Sequence, residues 1–147
     1  MASWVSECAL FDTSVYIAAL RHGDDTVLST RWLSADSPLW LSAVVLEELY
    51  AGAGERGDPV LAKLERDFDR IKRILVPNLS DWTQAGRVLA RVAAKYSYEL
   101  IGQRRLTNDA LIAMSAGRKG IRVITANERD FRRLAEFRVF QWQLATV

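Results

Sequence analysis

Asp12, Glu48, Asp109 and Asp130 are the acids whose placement suggests chemistry, because each lies in, at the edge of, or within a few residues of an apolar run. Asp12 closes Cys8-Ala-Leu-Phe11, Glu48 lies within Ala43-Val-Val-Leu-Glu-Glu-Leu-Tyr-Ala51, Asp109 opens Ala110-Leu-Ile-Ala-Met-Ser-Ala116, and Asp130 follows Ile121-Arg-Val-Ile-Thr125. Taken singly, Asp109 reads as a helix-capping acid and Asp130 as a surface one. Brought together, the four would repel, and one would have to stay protonated unless a cation neutralised the group. Hard divalent cations are the natural partners: Mg²⁺ and Mn²⁺ prefer oxygen ligands, keep several waters, and take carboxylates together with a substrate phosphate. One or two such ions can activate a water and stabilise the charge that develops on a phosphodiester during in-line displacement. Other chemistries find little to build on. His22 is the only histidine, which leaves a zinc site or a Ser-His triad without partners, and no phosphate-cradling glycine-rich loop occurs.

Four convergent carboxylates need a scaffold that brings distant segments to one edge. Cys8 to Phe11 reads as a short central strand with Asp12 at its carboxyl end, and Thr13 and Ser14 are cap candidates for a helix over Val15 to Leu20. Asp24-Asp25 opens a further helix to about Leu33, and Pro38 ends that region. Leu39-Trp-Leu41 is a second strand, after which Ser42 caps a helix over Ala43 to Ala51 that Gly52 and Gly54 stop. At about 100° per residue, Val45, Leu46 and Leu49 mark the apolar centre of that helix, Glu47 points nearly opposite, and Glu48 flanks the core. Asp58 to Arg73 is amphipathic at helical spacing, and Ile74-Leu-Val76 is a third strand. Ser80 caps a helix that buries Trp82, Ala85, Leu89, Val92 and Tyr96, with Arg87, Arg91 and Lys95 on another, solvated face. Thr107 caps the next helix, placing Asp109 in a first turn where unpaired N–H groups and the helix dipole favour a carboxylate. Gly117 and Gly120 offer its stop, Ile121 to Thr125 is a buried strand, Asn127 to Arg133 is a helix carrying Asp130, and Phe137-Arg-Val-Phe140 is an edge-strand candidate.

Strands separated by helices predict an α/β fold: a mostly parallel sheet of about five short strands with helices on both faces. In open sheets of this kind, sites form outside the carboxyl ends of the strands. A crossover helix runs antiparallel to the strands, so its N-terminus, carrying Asp109, returns to the same edge.

At 147 residues, half of them apolar and about a quarter charged, the chain suits one domain over residues 1–147 with a single substantial core. One cysteine makes no internal disulfide, and neither a secretion signal nor a long apolar span is indicated, so a cytoplasmic, membrane-free protein is expected. The net charge of +2 says little, but its distribution says more. Residues 1–73 carry eight Lys/Arg against twelve Asp/Glu, and residues 74–147 carry twelve against six. With four acids neutralised by metal the remaining surface suits a polyanion. Arg104 and Arg105, in the approach to Asp109, are the best candidates for contacting it.

Phe11-Asp12-Thr13-Ser14, Val45-Leu-Glu-Glu48-Leu49, Asn108-Asp109-Ala-Leu-Ile-Ala113, and Thr125-Ala-Asn127 with Asp130-Phe131 together resemble the PIN-domain nucleases, and within them the VapC ribonucleases of type II toxin–antitoxin systems. The likeness spans nearly the whole chain, in order. It implies the three-layer PIN-like sandwich and a ribonuclease that binds one or two Mg²⁺ or Mn²⁺ ions through Asp12, Glu48, Asp109 and Asp130. Ser14, Thr125 and Asn127 match supporting polar positions. The resemblance also implies an RNA substrate, a homodimer, and a cognate antitoxin that blocks the site.

Two other readings remain open. A phosphoacceptor domain, receiver-like or phosphatase-like, would use Asp12 after its strand. The receiver reading wants an acidic pair upstream, where only Glu7 stands, and the phosphatase reading wants an aspartate at position 14, where Ser14 stands. A degenerate PIN domain that only binds RNA or protein has no reason to keep four acids.

Overall fold

The structure, a computed structural model, describes residues 8–23, 38–55, 58–97 and 104–145. Five short strands form one parallel sheet: β1 (Ala9–Phe11), β2 (Leu39–Ser42), β3 (Ile74–Leu75), β4 (Arg122–Thr125) and β5 (Trp142–Leu144), in the order β3-β2-β1-β4-β5. Among the described residues six helices accompany them: α1 (Thr13–His22), α2 (Ala43–Ala53), α3 (Pro59–Arg70), α4 (Leu79–Lys95), α5 (Arg104–Lys119) and α6 (Glu128–Ala135). The chain walks from β1 out to β3, then crosses back over β1 to β4 and β5. With right-handed crossovers, connections that run in opposite directions along a sheet lie on opposite faces. The result is the expected three-layer α/β arrangement. Among the described residues no helix is long and apolar enough to cross a membrane.

The central strands are apolar because both faces are covered: Leu10, Leu41 and Val123 are completely buried. α5 is the most enclosed helix, with Ala110 to Ala116 buried on every side. Its one polar residue in that run, Ser115, turns its hydroxyl back to the carbonyls of Leu111 and Ile112, at 2.7 and 3.2 Å, and so needs no outside partner. Gly120, at φ 68°, takes the left-handed conformation that ends the helix.

Several expected boundaries differ from the structure, each for a local reason. Asp12, not Thr13 or Ser14, is the N-cap of α1. α5 begins at Arg104, three residues before Thr107, since Leu106 is buried and extends the apolar face by a turn. α4 is capped by Asn78 rather than Ser80: Asn78 Oδ1 accepts from the Asp81 N–H and Asp81 Oδ2 from the Asn78 N–H, both at 2.9 Å. Trp82 is 56% exposed instead of buried, because the inward position of that first turn belongs to Asp81, which receives the Arg118 guanidinium at 3.0 Å.

The segment Phe137 to Phe140 is not a strand. Phe140 turns inward, edge-on to Phe131 at 6.3 Å, and passes so close to α5 that a Cβ on Gly117 would lie 3.2 Å from it. Pairing resumes at Trp142, opposite Val123, and β5 takes the edge position. The helix expected from Asp24 to Leu33 lies outside the described residues.

The cap assignment is testable. Asn78→Ala should cost about 1 kcal/mol, and Ser80→Ala no more than about 0.5 kcal/mol, as read from urea midpoints at constant slope; equal losses would return the cap to Ser80.

Candidate active site

The three adjacent strands β2, β1 and β4 end at one edge, and a helix or tight turn follows each. Asp12 is the residue after β1. Its own N–H still bonds the Ile124 carbonyl at 2.8 Å, so the parallel register with β4 holds one residue past the strand. That register brings Thr125 beside it. Asp12 Oδ2 accepts from the Thr125 hydroxyl at 2.8 Å and the Ser14 hydroxyl at 2.9 Å, while Oδ1 accepts from the Thr13 N–H at 2.7 Å. The two hydroxyls are oriented in turn by backbone donors, Asn127 N–H on Thr125 at 2.9 Å and Ala126 N–H on Ser14 at 3.0 Å. Three donors therefore fix a carboxylate that is only 3% exposed.

Each of the other acids is tied to this one through a neutral side chain. The Thr13 hydroxyl donates to Glu48 Oε1 at 2.6 Å, joining the start of α1 to the second turn of α2. The Asn127 amide donates to Asp109 Oδ2 at 3.1 Å and to Asp130 Oδ2 at 2.9 Å, bridging α5 and α6. Four acids from four helical segments, Asp12 among them, are thus assembled. Glu48 is half-buried and faces the cavity, whereas Glu47 is exposed and accepts from the Asn108 amide at 3.3 Å.

Asp12, Thr13, Ser14, Glu48 and Asp109 line part of an open cavity of ≈ 580 Å³. Asp12, Glu48 and Asp109 form its acidic wall, and Asp130, which does not line it, is linked to Asp109 through the Asn127 amide. Burial pushes the Asp109 carboxyl up to about 9, with the nearby charges of Asp12, Glu48 and Asp130 adding to the rise and Arg105 opposing it. Among the described residues no three His, Cys, Asp or Glu side chains already enclose a common ion-sized point as they stand. The donor set is nevertheless all oxygen and short of positive charge, which suits a hard divalent cation rather than zinc.

The expected residues fall into place unevenly. Asp12, Glu48, Asp109 and Asp130 are brought together, with Ser14, Thr125 and Asn127 among them. Asp109 lies in the second turn of α5, not the first. Arg104 and Arg105 occupy the first turn of that helix rather than a loop, so Arg105 is four residues before Asp109 on the same face and lines the cavity; the Arg104 side chain lies outside the described residues. The row Arg87, Arg91 and Lys95 on α4 lines no part of the cavity, and Lys95 pairs with Glu136 at 2.9 Å. Sequence reasoning treats Thr13 only as a cap and misses its bond to Glu48. It also misses Ile17, Arg21 and His22, which line the cavity; the i, i+4, i+8 spacing of Thr13, Ile17 and Arg21 is the signal that could have found them.

A parallel α/β sheet with a cluster of acids beyond the carboxyl ends of its central strands defines the class of fold and site. The particular family follows from the sequence: the PIN domain model matches residues 9–137, and the chain belongs to the PIN domain family. Among curated proteins no sequence match is found. Similar solved structures include the DNA-bound VapBC from Salmonella typhimurium, with 20% identity over 94% of this chain and 98% of that one, TM-score 0.57. VapBC2 from Rickettsia felis bound to a promoter DNA fragment gives 19% identity, the same coverages and TM-score 0.58. VapBC-1 from nontypeable Haemophilus influenzae gives 24% identity over 92% of this chain and 96% of that one, TM-score 0.54. At these identities the likeness is one of fold.

The raised Asp109 carboxyl has a consequence for stability. The folded chain holds a proton that the unfolded chain releases near the ordinary value of about 4, so this contribution is complete below that value and is lost as pH rises toward about 9. In metal-free buffer Asp109→Asn should therefore match the parent near pH 4 and exceed it at pH 8 by on the order of 1 kcal/mol or more, roughly 3 °C in Tm. Thermal melts across that range check it; a variant less stable at pH 8 would overturn the assignment of Asp109 as the strained acid.

Proposed function

We propose that this chain is a Mg²⁺- or Mn²⁺-dependent ribonuclease of the VapC kind, acting in the cytoplasm as the toxin of a toxin–antitoxin pair. The observation that carries the reading is the clustering of Asp109 with Asp12, Glu48 and Asp130, its acidity suppressed first by burial and then by their charges. Nucleophilic alternatives find little to build on: no cysteine lies among these acids, and the Ser14 hydroxyl is held between Asp12, to which it donates, and the Ala126 N–H. Membership of the PIN family supports a nuclease. The VapBC and FitAB neighbours support the toxin assignment and, with it, a cognate antitoxin; a homodimer belongs to the same reading.

In this reading Asp12, Glu48, Asp109 and Asp130 hold one or two ions. When bound, Mg²⁺ or Mn²⁺ supplies neutralisation of the clustered acids, activation of a water, and stabilisation of charge on the phosphodiester. The chain's own polar groups do the positioning: Thr125, Ser14 and the Thr13 N–H lock Asp12, the Thr13 hydroxyl steers Glu48, and Asn127 keeps Asp109 and Asp130 at one separation. Arg105, and Arg104 beside it in sequence, approach the RNA backbone.

Purified protein free of antitoxin should cut RNA in Mg²⁺ or Mn²⁺ and stop in EDTA. Asp109→Asn and Glu48→Gln should each lower the rate by about 10²-fold or more, the scale of several kcal/mol of charge stabilisation, while Glu47→Gln leaves it within a few-fold. Cleavage with the same products in EDTA, or a Glu47→Gln loss with Glu48→Gln intact, would overturn the site.

A further inference from the structure

The cavity extends well beyond the acids. Along α1 it is lined by Thr13, Ser14, Ile17, Ala18, Arg21 and His22, which recur at i, i+4 and i+8 with their neighbours and so form one continuous face of the helix. That face runs roughly 13 Å from the acid end to the last turn. Its middle is apolar and its far end cationic. Arg105 stands on the opposing helix α5. Several cations elsewhere are held in ion pairs. Arg118 is held by Asp81, Lys95 by Glu136, Arg132 by Glu128, and Lys63 and Arg70 by Asp67. Among the described residues neither Arg21 nor Arg105 is held in an ion pair.

We propose that this face of α1 is the track for the RNA strand on one side of the scissile bond, with Arg21 and His22 contacting a backbone phosphate and Ile17 and Ala18 underlying the intervening nucleotide. The inference rests on the nuclease reading and adds the direction in which the substrate leaves the acids. Charge complementarity selects the occupant. A polyanion needs cations where the acids end and cannot lie along the acidic wall itself. A nucleotide also needs an apolar surface between its phosphates, as single-strand binding sites provide. Arg21 and His22 also sit favourably at a helix C-terminus, so their role in RNA binding must be separated from their role in the helix.

The salt dependence of binding makes that separation. A short fluorescent single-stranded oligoribonucleotide of mixed sequence is titrated against the full chain in EDTA at several salt concentrations. Replacing Arg21 and His22 together by Gln should weaken binding about 5- to 10-fold and reduce the slope of log affinity against log salt by about 0.7 for each phosphate that is no longer neutralised, while Arg21→Lys restores most of the slope. A double Gln variant of Arg87 and Arg91, on α4, should behave as the parent. Unchanged affinity and slope in the Arg21/His22 variant, with cleavage by the parent intact, would overturn the track and leave the nuclease reading standing. RNA that is bound with the Arg21-dependent slope but never cut in Mg²⁺ or Mn²⁺ would support the track and overturn the nuclease reading. Retained RNA binding, together with lost association with the protein encoded by an adjacent reading frame, would make the face a protein-docking surface and overturn the RNA assignment. Circular dichroism melts identify any variant whose loss comes from unfolding, and in that case Arg21→Lys alone decides.

Discussion

Asp109 is a carboxyl group that the fold buries beside three others, and most of what surrounds it holds the acids in place without neutralising them. The nearest donors are uncharged: the Asn127 amide shared between Asp109 and Asp130, the Thr13 hydroxyl on Glu48, and the Thr125 and Ser14 hydroxyls on Asp12. A basic residue in any of these places would satisfy the carboxylates permanently and cancel the local potential. Neutral donors fix position and leave the charge available. The exceptions lie at the rim, where exposed Arg105 opposes the rise at Asp109 and exposed Arg129 reaches Asp130 at 3.3 Å.

A parallel sheet is what makes this concentration of charge possible. Strands β2, β1 and β4 are neighbours and point the same way, so their ends share an edge; antiparallel neighbours would put alternate ends on opposite sides. The pairing is fixed by Leu10 opposite both Trp40 and Val123, with Phe11 opposite Ile124. A slip of one residue would turn Thr125 to the other face of the sheet and leave Asp12 without its shortest side-chain donor. The core therefore sets the site: Leu10 and Val123, both fully buried, determine which hydroxyl meets which carboxylate.

What was legible in the sequence follows from which interactions are local. Apolar runs identified four of the strands, the first of them ended by Asp12, since burial on both faces leaves a continuous hydrophobic run that stands out from its neighbours. Helix starts were less legible. Asn78 and Ser80 are both good caps, and the choice between them depends on Asp81 meeting Arg118, a residue 37 positions away. Thr107 lost to Arg104 because Leu106 finds a place in the core. The last strand was misplaced because Phe140 is taken by Phe131. The links between acids were not legible either: Thr13 to Glu48 spans 35 positions, and an asparagine that bridges two carboxylates looks in sequence like an ordinary cap, which Asn127 also is.

The two helices that flank the cavity carry different charges at their N-terminal ends, and the difference separates stability from function. In α1 the acid is the N-cap, and Arg21 and His22 are in the last turn, the order that the helix dipole favours at both ends. α5 ends as the dipole favours, with Arg118 and Lys119 in its last turn, but its start does not: Arg104 and Arg105 are in the first turn and no acid is. A cation there opposes the dipole by roughly 0.3–1 kcal/mol, and one turn further on the same helix buries a carboxyl among like charges. Neither choice helps α5 to form. Both are tolerated because the run from Ala110 to Ala116 is enclosed on all sides and holds the helix regardless of its ends. The most deeply packed helix is thus the one able to carry the least favourable electrostatics, and it is the helix that brings a cation and an acid, four residues apart, to one face of the cavity.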